Sequence, residues 1–369
     1  MIADNPWLDA ALRLVAVVLL ITVAALILIW AERKLVGRLQ MRLGPMRVGP
    51  YGTLQSVADA VKLLTKEDLR PVTADRWVFE LAPFVVFVPA FLTLVSLPFT
   101  ADLFVRNLEL GLFYIVAVSS LSIVGIVMAG WGSDNKYALL GAMRAAAQLI
   151  SYEIPLVLAI LAVAMVAGTL DLGQIVNQQG RVPYVVWQPL GFLLFIIATL
   201  AELYRNPFDI PVADSEIVGG PFVEYSGIRW SMFFFAEYVN LFVLSVLGSL
   251  VFLGGWNWFL GNGAGWGLQV VWILVKTTGF LVLFMWLRAS LPRLRIDQLM
   301  SFCWQVLLPF AFLQIIINGL VLVYEWPDWT LTVFSGSAAL VAIWATYVGS
   351  RRAAIALPWA LAPARRSGP

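Results

Sequence analysis

The chain has 369 residues, of which 61% are hydrophobic and 12% charged, and its net charge is +2. A soluble domain carries about 25% charged residues, so a chain this poor in charge could not cover its own surface and reads as an all-α integral membrane protein, one polytopic domain over 1–369. With no histidine and a single cysteine, Cys303, it cannot bind haem through histidine, hold an iron–sulfur cluster on cysteines, build a His/Cys zinc site, close an internal disulfide or carry a Ser-His-Asp triad.

Apolar runs of the length that crosses a bilayer, about 17–25 residues, fall at roughly 10–31, 81–99, 109–131, 147–170, 184–203, 231–254, 266–289, 303–324 and 329–349. They predict nine transmembrane helices. The first is too long for a signal peptide, is flanked by Asp4 and Asp9 instead of a basic segment, and precedes no small-residue cleavage site. Arg13, one turn from its end, can snorkel to the interface. The last run is diluted by Ser335, Gly336 and Ser337. With the N-terminus outside, the inner segments 32–80, 132–146, 204–230, 288–302 and the basic tail 350–369 hold 20 Lys and Arg, whereas the outer loops hold only Arg106 and Arg181. The positive-inside rule therefore predicts an outside N-terminus and a C-terminus on the cytoplasmic side. No internal repeat of the kind found in many secondary transporters is evident. The basic residues follow topology and form no separate domain, which argues against nucleic-acid binding. The glycine-rich run at 261–267 follows no strand and reads as a turn.

The first inner loop, 32–80, opens on Glu32, Arg33 and Lys34 and continues through Arg38, Arg42 and Arg47. Gly44-Pro45 and Gly49-Pro50 force an irregular path. Leu54, Val57, Val61 and Leu64 then form an apolar stripe on a helix whose other face holds Gln55, Asp59, Lys62 and Lys66. Such a helix lies in the membrane interface. One reading is a plain anchor. The other is a portal, an apolar slope with arginines above it to receive a lipid-soluble ligand with an oxygen-rich head.

The second inner loop, 202–230, carries five acids, Glu202, Asp209, Asp214, Glu216 and Glu224, against Arg205 and Arg229. Its prolines and glycines forbid one long helix. A solvated acidic loop is the plain reading; a funnel of carboxylates folded toward the membrane is the competing one. Charges inside the spans favour the second: Glu153 in the fourth, Glu237 in the sixth and Lys276 in the seventh. Each costs about 2.5–3.5 kcal/mol to insert, so intramembrane ionisable groups point to function, here a proton relay. Structural pairing, for instance of Glu237 with Lys276, is the alternative. Arg144, at the start of the fourth span, reads as a flank charge.

These segments resemble a known family. AERKLVGRLQMRLGPMRVGPYGTLQSVADAVKLLTKED (31–68), GWGSDNKYALLGAMRAAAQLISYE (130–153), AELYRNPFDIPVADSEIVGGPFVEYSG (201–227) with Ala236-Glu237-Tyr238, and LRASLPRLRIDQLMSFCW (287–304) are similar to the H-type membrane subunit of the proton-pumping NADH–quinone oxidoreductase, respiratory complex I. The mitochondrial counterpart is subunit 1. The resemblance runs from about 31 to 310. It implies an eight- or nine-span subunit at the junction of the membrane and peripheral arms, in a bacterial inner membrane. It implies no redox centre in the chain, ubiquinone or menaquinone as substrate, and FMN and iron–sulfur clusters only in partner subunits. By the same resemblance, Arg33, Arg42, Asp59, Arg205 and Arg288 line the quinone chamber. Glu153, Glu202, Asp209, Asp214, Glu216, Glu224 and Glu237 form the acidic funnel, with Lys276 near it. The chain departs from the family pattern where relatives usually read PEAESE. Here the segment is Pro211-Val212-Ala213-Asp214-Ser215-Glu216, so one acid is lost at Val212. Tyr204 and Met46 replace usual asparagines, and Ser120 stands where some relatives carry a glutamate. A related subunit of a membrane-bound hydrogenase or formate hydrogenlyase shares parts of the first loop. A stand-alone proton-coupled transporter and a purely structural anchor are more distant readings.

Overall fold

The computed structural model describes the chain from Pro6 to Ile355 except for residues 102, 181, 213 and 258–264; the side chains of residues 6–11, 13, 214–215 and 347–355 also fall outside the description. The expectations for Arg13, Arg181, the Asp214 side chain, most of the glycine-rich turn and the basic tail therefore lie outside the described residues.

All described elements are helical. Hydrocarbon demands this, because a helix pairs its own backbone groups and an unpaired one there costs several kcal/mol. Helix α1 (Pro6–Leu39) leads to α2 (Gln55–Thr65) and then α3 (Arg76–Leu92), whose first turn is capped by the Asp75 carboxylate. Helices α4 (Gly111–Ser119) and α5 (Leu121–Gly132) make one crossing that bends at Ser120. Helix α6 (Lys136–Ala167) is capped by Asn135 and is followed by the short α7 (Leu172–Gln178). Then come α8 (Tyr184–Trp187), α9 (Pro189–Glu202) and the four-residue α10 (Asp214–Ile217). Helix α11 (Gly227–Leu253), buried on nearly all sides, is the axis of the bundle. Helix α12 (Trp266–Ser290) packs beside it. Helix α13 (Ile296–Phe302) runs through a π turn at Cys303–Leu307 into α14 (Leu308–Val323), and α15 (Trp329–Ile355) closes the described chain.

Eight of these helices, single or compound, are long and apolar enough to cross a membrane. They match eight of the nine expected runs. The run at 184–203 is realised differently: it breaks at Gln188, before Pro189, leaving α9 with 14 residues. Chain parity still requires a crossing here. The Ser226 hydroxyl accepts from the Leu69 N–H at 3.1 Å and Arg229 pairs with Asp68 at 2.9 Å, so the loops before α3 and before α11 lie at the same end. Between them run α3, α4–α5 and α6, and only with α8–α9 is the number of passages even. Tyr184–Glu202 is 19 residues, about 28 Å of helix, close to the roughly 30 Å of hydrocarbon. The acidic loop then lies directly on α6, where a methyl group on Gly141 would meet the Gly220 Cα at 2.5 Å.

A neutral hydrogen-bond chain seals the break. The Leu190 N–H donates to Ser335 Oγ (3.1 Å), the Ser335 hydroxyl donates to Gln314 Oε1 (2.8 Å), and Gln314 Nε2 donates to Asn318 Oδ1 (2.8 Å). Asn318 Nδ2 donates to the Ala162 carbonyl at 2.7 Å, which Gln188 Nε2 also reaches at 3.3 Å. Amides and hydroxyls from α14 and α15 thus replace the bonds that the broken helix forgoes. Ser335, which only dilutes hydropathy in the sequence, is fully buried in this chain of bonds. Ser335→Ala leaves the Leu190 N–H unpaired and is expected to cost about 1 kcal/mol, read as a lower thermal midpoint of the detergent-purified protein. Ser337→Ala, whose hydroxyl only returns to its own helix at an exposed position, is expected to leave the midpoint unchanged.

Candidate functional site

Three features meet at the end of the bundle that carries the two long inner loops. The first is an apolar slot of about 760 Å³ between α1, α2, α3 and α11, walled by Leu14, Val18, Phe87, Phe91 and Phe235 among others. Its charged rim is Arg33 and Asp59, paired at 2.6 Å, with Lys62 3.6 Å from the same carboxylate and Gln55 donating to it at 3.2 Å. Helix α2 forms where the sequence predicts and turns Ser56, Asp59, Ala60, Lys62, Leu63 and part of the largely exposed Leu64 to the slot, while Leu54, Val57 and Val61 stay exposed away from it. Most of its apolar stripe thus faces outward from the bundle, and the Arg33 pair draws Asp59 inward. Burial raises the Asp59 carboxyl, but the Arg33 hydrogen bond and charge, with Gln55 and Lys62, outweigh it and hold the group below its ordinary range.

The second feature is a buried knot of charge. Glu32, at the inner part of α1, is gripped by both Arg205 and Arg288. Arg205, 2% exposed, also faces Glu237 Oε1 at 3.2 Å and lies over the Tyr238 ring at 5.2 Å. Two arginines and two glutamates from α1, the turn after α9, α11 and α12 cancel one another. The planar guanidinium suits such sharing, with several donors and a face that stacks.

The third feature is a cavity of about 490 Å³ beside the knot. Glu237 and Arg288 open into it, together with Glu202, Tyr204, Asn240 and Ser122. Val212, where the carboxylate of the usual pattern is missing, lines it as well. Trp230 and Phe234 line both slot and cavity. Their rings stack at 5.1 Å and 16° and form the wall between the two. Tyr225, whose hydroxyl donates to the Phe79 carbonyl at 3.1 Å and whose ring stacks on Phe79 at 4.1 Å, fixes the end of the acidic loop against α3.

The remaining sequence candidates distribute unevenly. Glu153 lies near enough to Glu202 for its charge to act on that carboxyl. Glu216 pairs with Arg144 at 2.8 Å, so Arg144 is a loop anchor and more than a flank charge. Asp209 pairs with Arg293 at 2.7 Å, and Glu224 accepts from Asn135 Nδ2 at 2.6 Å. Arg42 is exposed, bonds Gln40 at 2.9 Å and lines neither space. Lys276 is not beside the funnel. Its ammonium donates to the carbonyls of Leu253 and Asn257, both at 2.6 Å, at the C-terminal end of α11. Leu253 is 16 residues beyond Glu237 in α11, about 24 Å. Lys276 therefore caps a helix C-terminus, where a cation is favoured, and the pairing of Glu237 falls to Arg205 instead. Glu32 and Tyr204 are the members that the sequence reading left out of the site.

An all-helical membrane protein with a lipid-side slot, a self-neutralised charge knot and a carboxylate-lined cavity defines the class: a membrane subunit that joins access for an apolar ligand to buried ionisable groups. The chain belongs to the NADH dehydrogenase family, whose model matches residues 12–319. It is 46% identical over 319 residues to the H subunit of NADH-quinone oxidoreductase from Brevibacillus brevis, covering 86% of this chain and 94% of the relative. With the H subunit from Anoxybacillus flavithermus it shares 51% over 296 residues, covering 79% and 88%. With that of Dehalococcoides mccartyi it shares 44% over 330 residues, covering 89% and 91%.

Removing one member of the knot strands a buried charge. Glu32→Gln and Arg205→Met are each expected to lower stability by about 3–5 kcal/mol, seen as a fall in thermal midpoint or in recovered protein. Arg144→Gln, at a partly exposed pair, is expected to cost less than about 1 kcal/mol.

Proposed function

We propose that this chain is the quinone-chamber and coupling subunit of a proton-translocating NADH–quinone oxidoreductase in a bacterial inner membrane. The family match and the H-subunit relatives support the assignment to that complex. The observation that carries the chamber reading is the single aromatic wall, Trp230 and Phe234, shared by the apolar slot and the charged cavity. A long-tailed quinone, ubiquinone or menaquinone, enters from the bilayer along α1, α2, α3 and α11. Its head meets Arg33 at the rim and then Arg288. Arg42, on the exposed inner surface, faces the peripheral quinone-module subunits, and the other membrane-arm subunits cover the flanks of the bundle.

Electrons reach the quinone from iron–sulfur clusters in those peripheral partners, which also hold the FMN. A chain with no histidine and one cysteine supplies no such ligands. Two-electron reduction makes the quinone basic, and it takes up two protons. Charge appearing near Arg33 and Arg288 alters the balance of the knot and so the proton affinity of Glu237, Glu202 and Glu153. At an effective dielectric of about 20, unit charges 4 Å apart interact by about 4 kcal/mol, about three pKa units. Direct coupling fades beyond such distances, so the signal travels as a relay. Asp209, Asp214, Glu216 and Glu224 set the negative potential at the mouth, and Lys276 stands outside the path. The outside N-terminus follows from the Lys/Arg asymmetry.

Two measurements test this reading. In the reconstituted complex, Glu237→Gln is expected to cut quinone-linked proton transport severalfold; normal pumping would remove Glu237 from the relay. Asp59→Asn frees Arg33 and is expected to raise the KM for quinone by about two- to tenfold. The sign of the pH effect is set by the lowered Asp59 carboxyl. Its stabilising contribution is complete above its unfolded value of about 3.9 and is lost only as pH falls through the lower folded value. This pair therefore gives the wild-type KM no titration between about pH 5 and pH 8. Co-purified subunits separate this enzyme from a hydrogenase relative: flavin and iron–sulfur NADH-oxidising proteins support it, and a nickel–iron subunit refutes it.

A further inference from the structure

Tyr204 combines three features that packing alone does not explain. It follows α9 by two residues, where the chain turns back toward Arg205, and its backbone sits at φ +49°. A bulky side chain is an outlier in that left-handed region and stays there only where its surroundings hold it. Its ring packs against the hydrophobic core, yet its Oη is sealed from solvent with no hydrogen-bond partner in the protein. Buried hydroxyls are nearly always partnered, by protein or by ordered water. Finally, Tyr204 lines the same cavity as Glu202 and Glu237, and one oxygen of Glu202, Oε2, is likewise buried without a protein partner. The cavity volume of about 490 Å³ has room for several waters at about 30 Å³ each.

We propose that the Tyr204 hydroxyl is a proton-transfer link between Glu202 and Glu237, working through water in the shared cavity. The step leaves the phenol unchanged. Oη accepts a proton from a protonated neighbour on one side while its own O–H proton passes to a water or carboxylate on the other. One proton moves, no bond to carbon changes and no electron is transferred. Burial, followed by the charges of Glu202 and Glu237, pushes the phenol well above its ordinary range, so it stays neutral and retains both its donor and its lone pairs. Asn240 and Ser122, on the same cavity, supply polar contacts for the intervening water. Phenylalanine would fill the same space, and the hydroxyl alone distinguishes a link from a filler.

The inference rests on the coupling role proposed above. The test uses the intact complex in proteoliposomes, with Tyr204→Phe and Glu237→Gln compared for proton pumping, quinone reduction and electron transfer to a water-soluble acceptor. Tyr204→Phe is expected to slow pumping and quinone reduction together by about tenfold, at the low end for positioned proton-transfer groups because water bridges part of the gap. The water-soluble acceptor reaction stays at the wild-type rate. The solvent deuterium isotope effect on quinone reduction rises, which a purely structural defect would not produce. Wild-type pumping in Tyr204→Phe, with Glu237→Gln impaired, overturns the Tyr204 link and leaves the coupling role standing. Wild-type pumping in both overturns the coupling role itself. If the phenylalanine protein does not assemble, Tyr204→Leu, which also carries no exchangeable proton, serves with the same expectations.

Discussion

Glu32, Arg205, Arg288 and Glu237 hold four distant parts of the chain to one another by charge. An unpaired ion in a low-dielectric interior carries a desolvation penalty of several kcal/mol, and only a well-placed counter-ion offsets it. The knot meets this condition by being neutral as a set: Glu32 takes two arginines, and Arg205 shares itself between two acids. The end of α1, the turn after α9, α11 and α12 are thereby fixed at one level. The slot and the cavity exist because these segments cannot close on each other without burying charge unpaired. The same balance makes the site responsive. A neutral set disturbed by one unit of charge leaves one unit uncompensated, and the chain of pairs Arg288–Glu32–Arg205–Glu237 is the physical basis for the coupling proposed above.

The opposite half of the bundle handles polarity by other means. Around the α8–α9 break, Gln188, Gln314, Asn318 and Ser335 are neutral, and their bonds form a closed chain with little capacity to take up or release protons. At the C-terminal end of α11, Lys276 donates to the carbonyls of Leu253 and Asn257. Among the described residues, the ionisable groups lining the slot and the cavity thus lie at the end of the bundle that carries the two long loops. For the relay proposed above, this gradient supplies a direction, from where the slot meets the knot along the carboxylates toward Glu153.

What the sequence made legible follows from the range of the signals involved. Hydropathy is local, and it located the eight long apolar helices and the apolar run at 184–203. The break within that run was invisible to hydropathy because α8 and α9 are both apolar, although Pro189 was the cue. The interfacial helix was read from its spacing, but its inward face was not, since Asp59 is turned by Arg33 from 26 positions away. Glu32 looked like a membrane-edge residue because its partners lie 173 and 256 positions further on. Glu237 and Lys276 looked like a natural pair because both are charges in adjacent spans. Their side chains point to opposite ends, and depth of that kind is set by helix packing and snorkelling, not by composition. The acids of the inner loop were legible as a cluster, while their individual bonds to Arg144, Arg293 and Asn135 depended on the fold.

The lone cysteine acquires a physical role by the same reasoning. Pro155, inside α6, has no N–H to offer the carbonyl four residues back, which belongs to Ser151. That carbonyl belongs to a residue buried in the bundle and needs another donor. The Cys303 thiol supplies it at 3.0 Å, at the start of the π turn between α13 and α14. The Tyr152 hydroxyl donates to the Leu299 carbonyl at 2.9 Å just beside it. These two bonds bind the turn of α6 just before Glu153 to the α13–α14 segment. A larger donor would not fit a fully buried position, and a charged one would add an ion with no partner. The proline, the π turn and the thiol are therefore one arrangement, and it holds the backbone that presents Glu153, the last carboxylate of the relay proposed above.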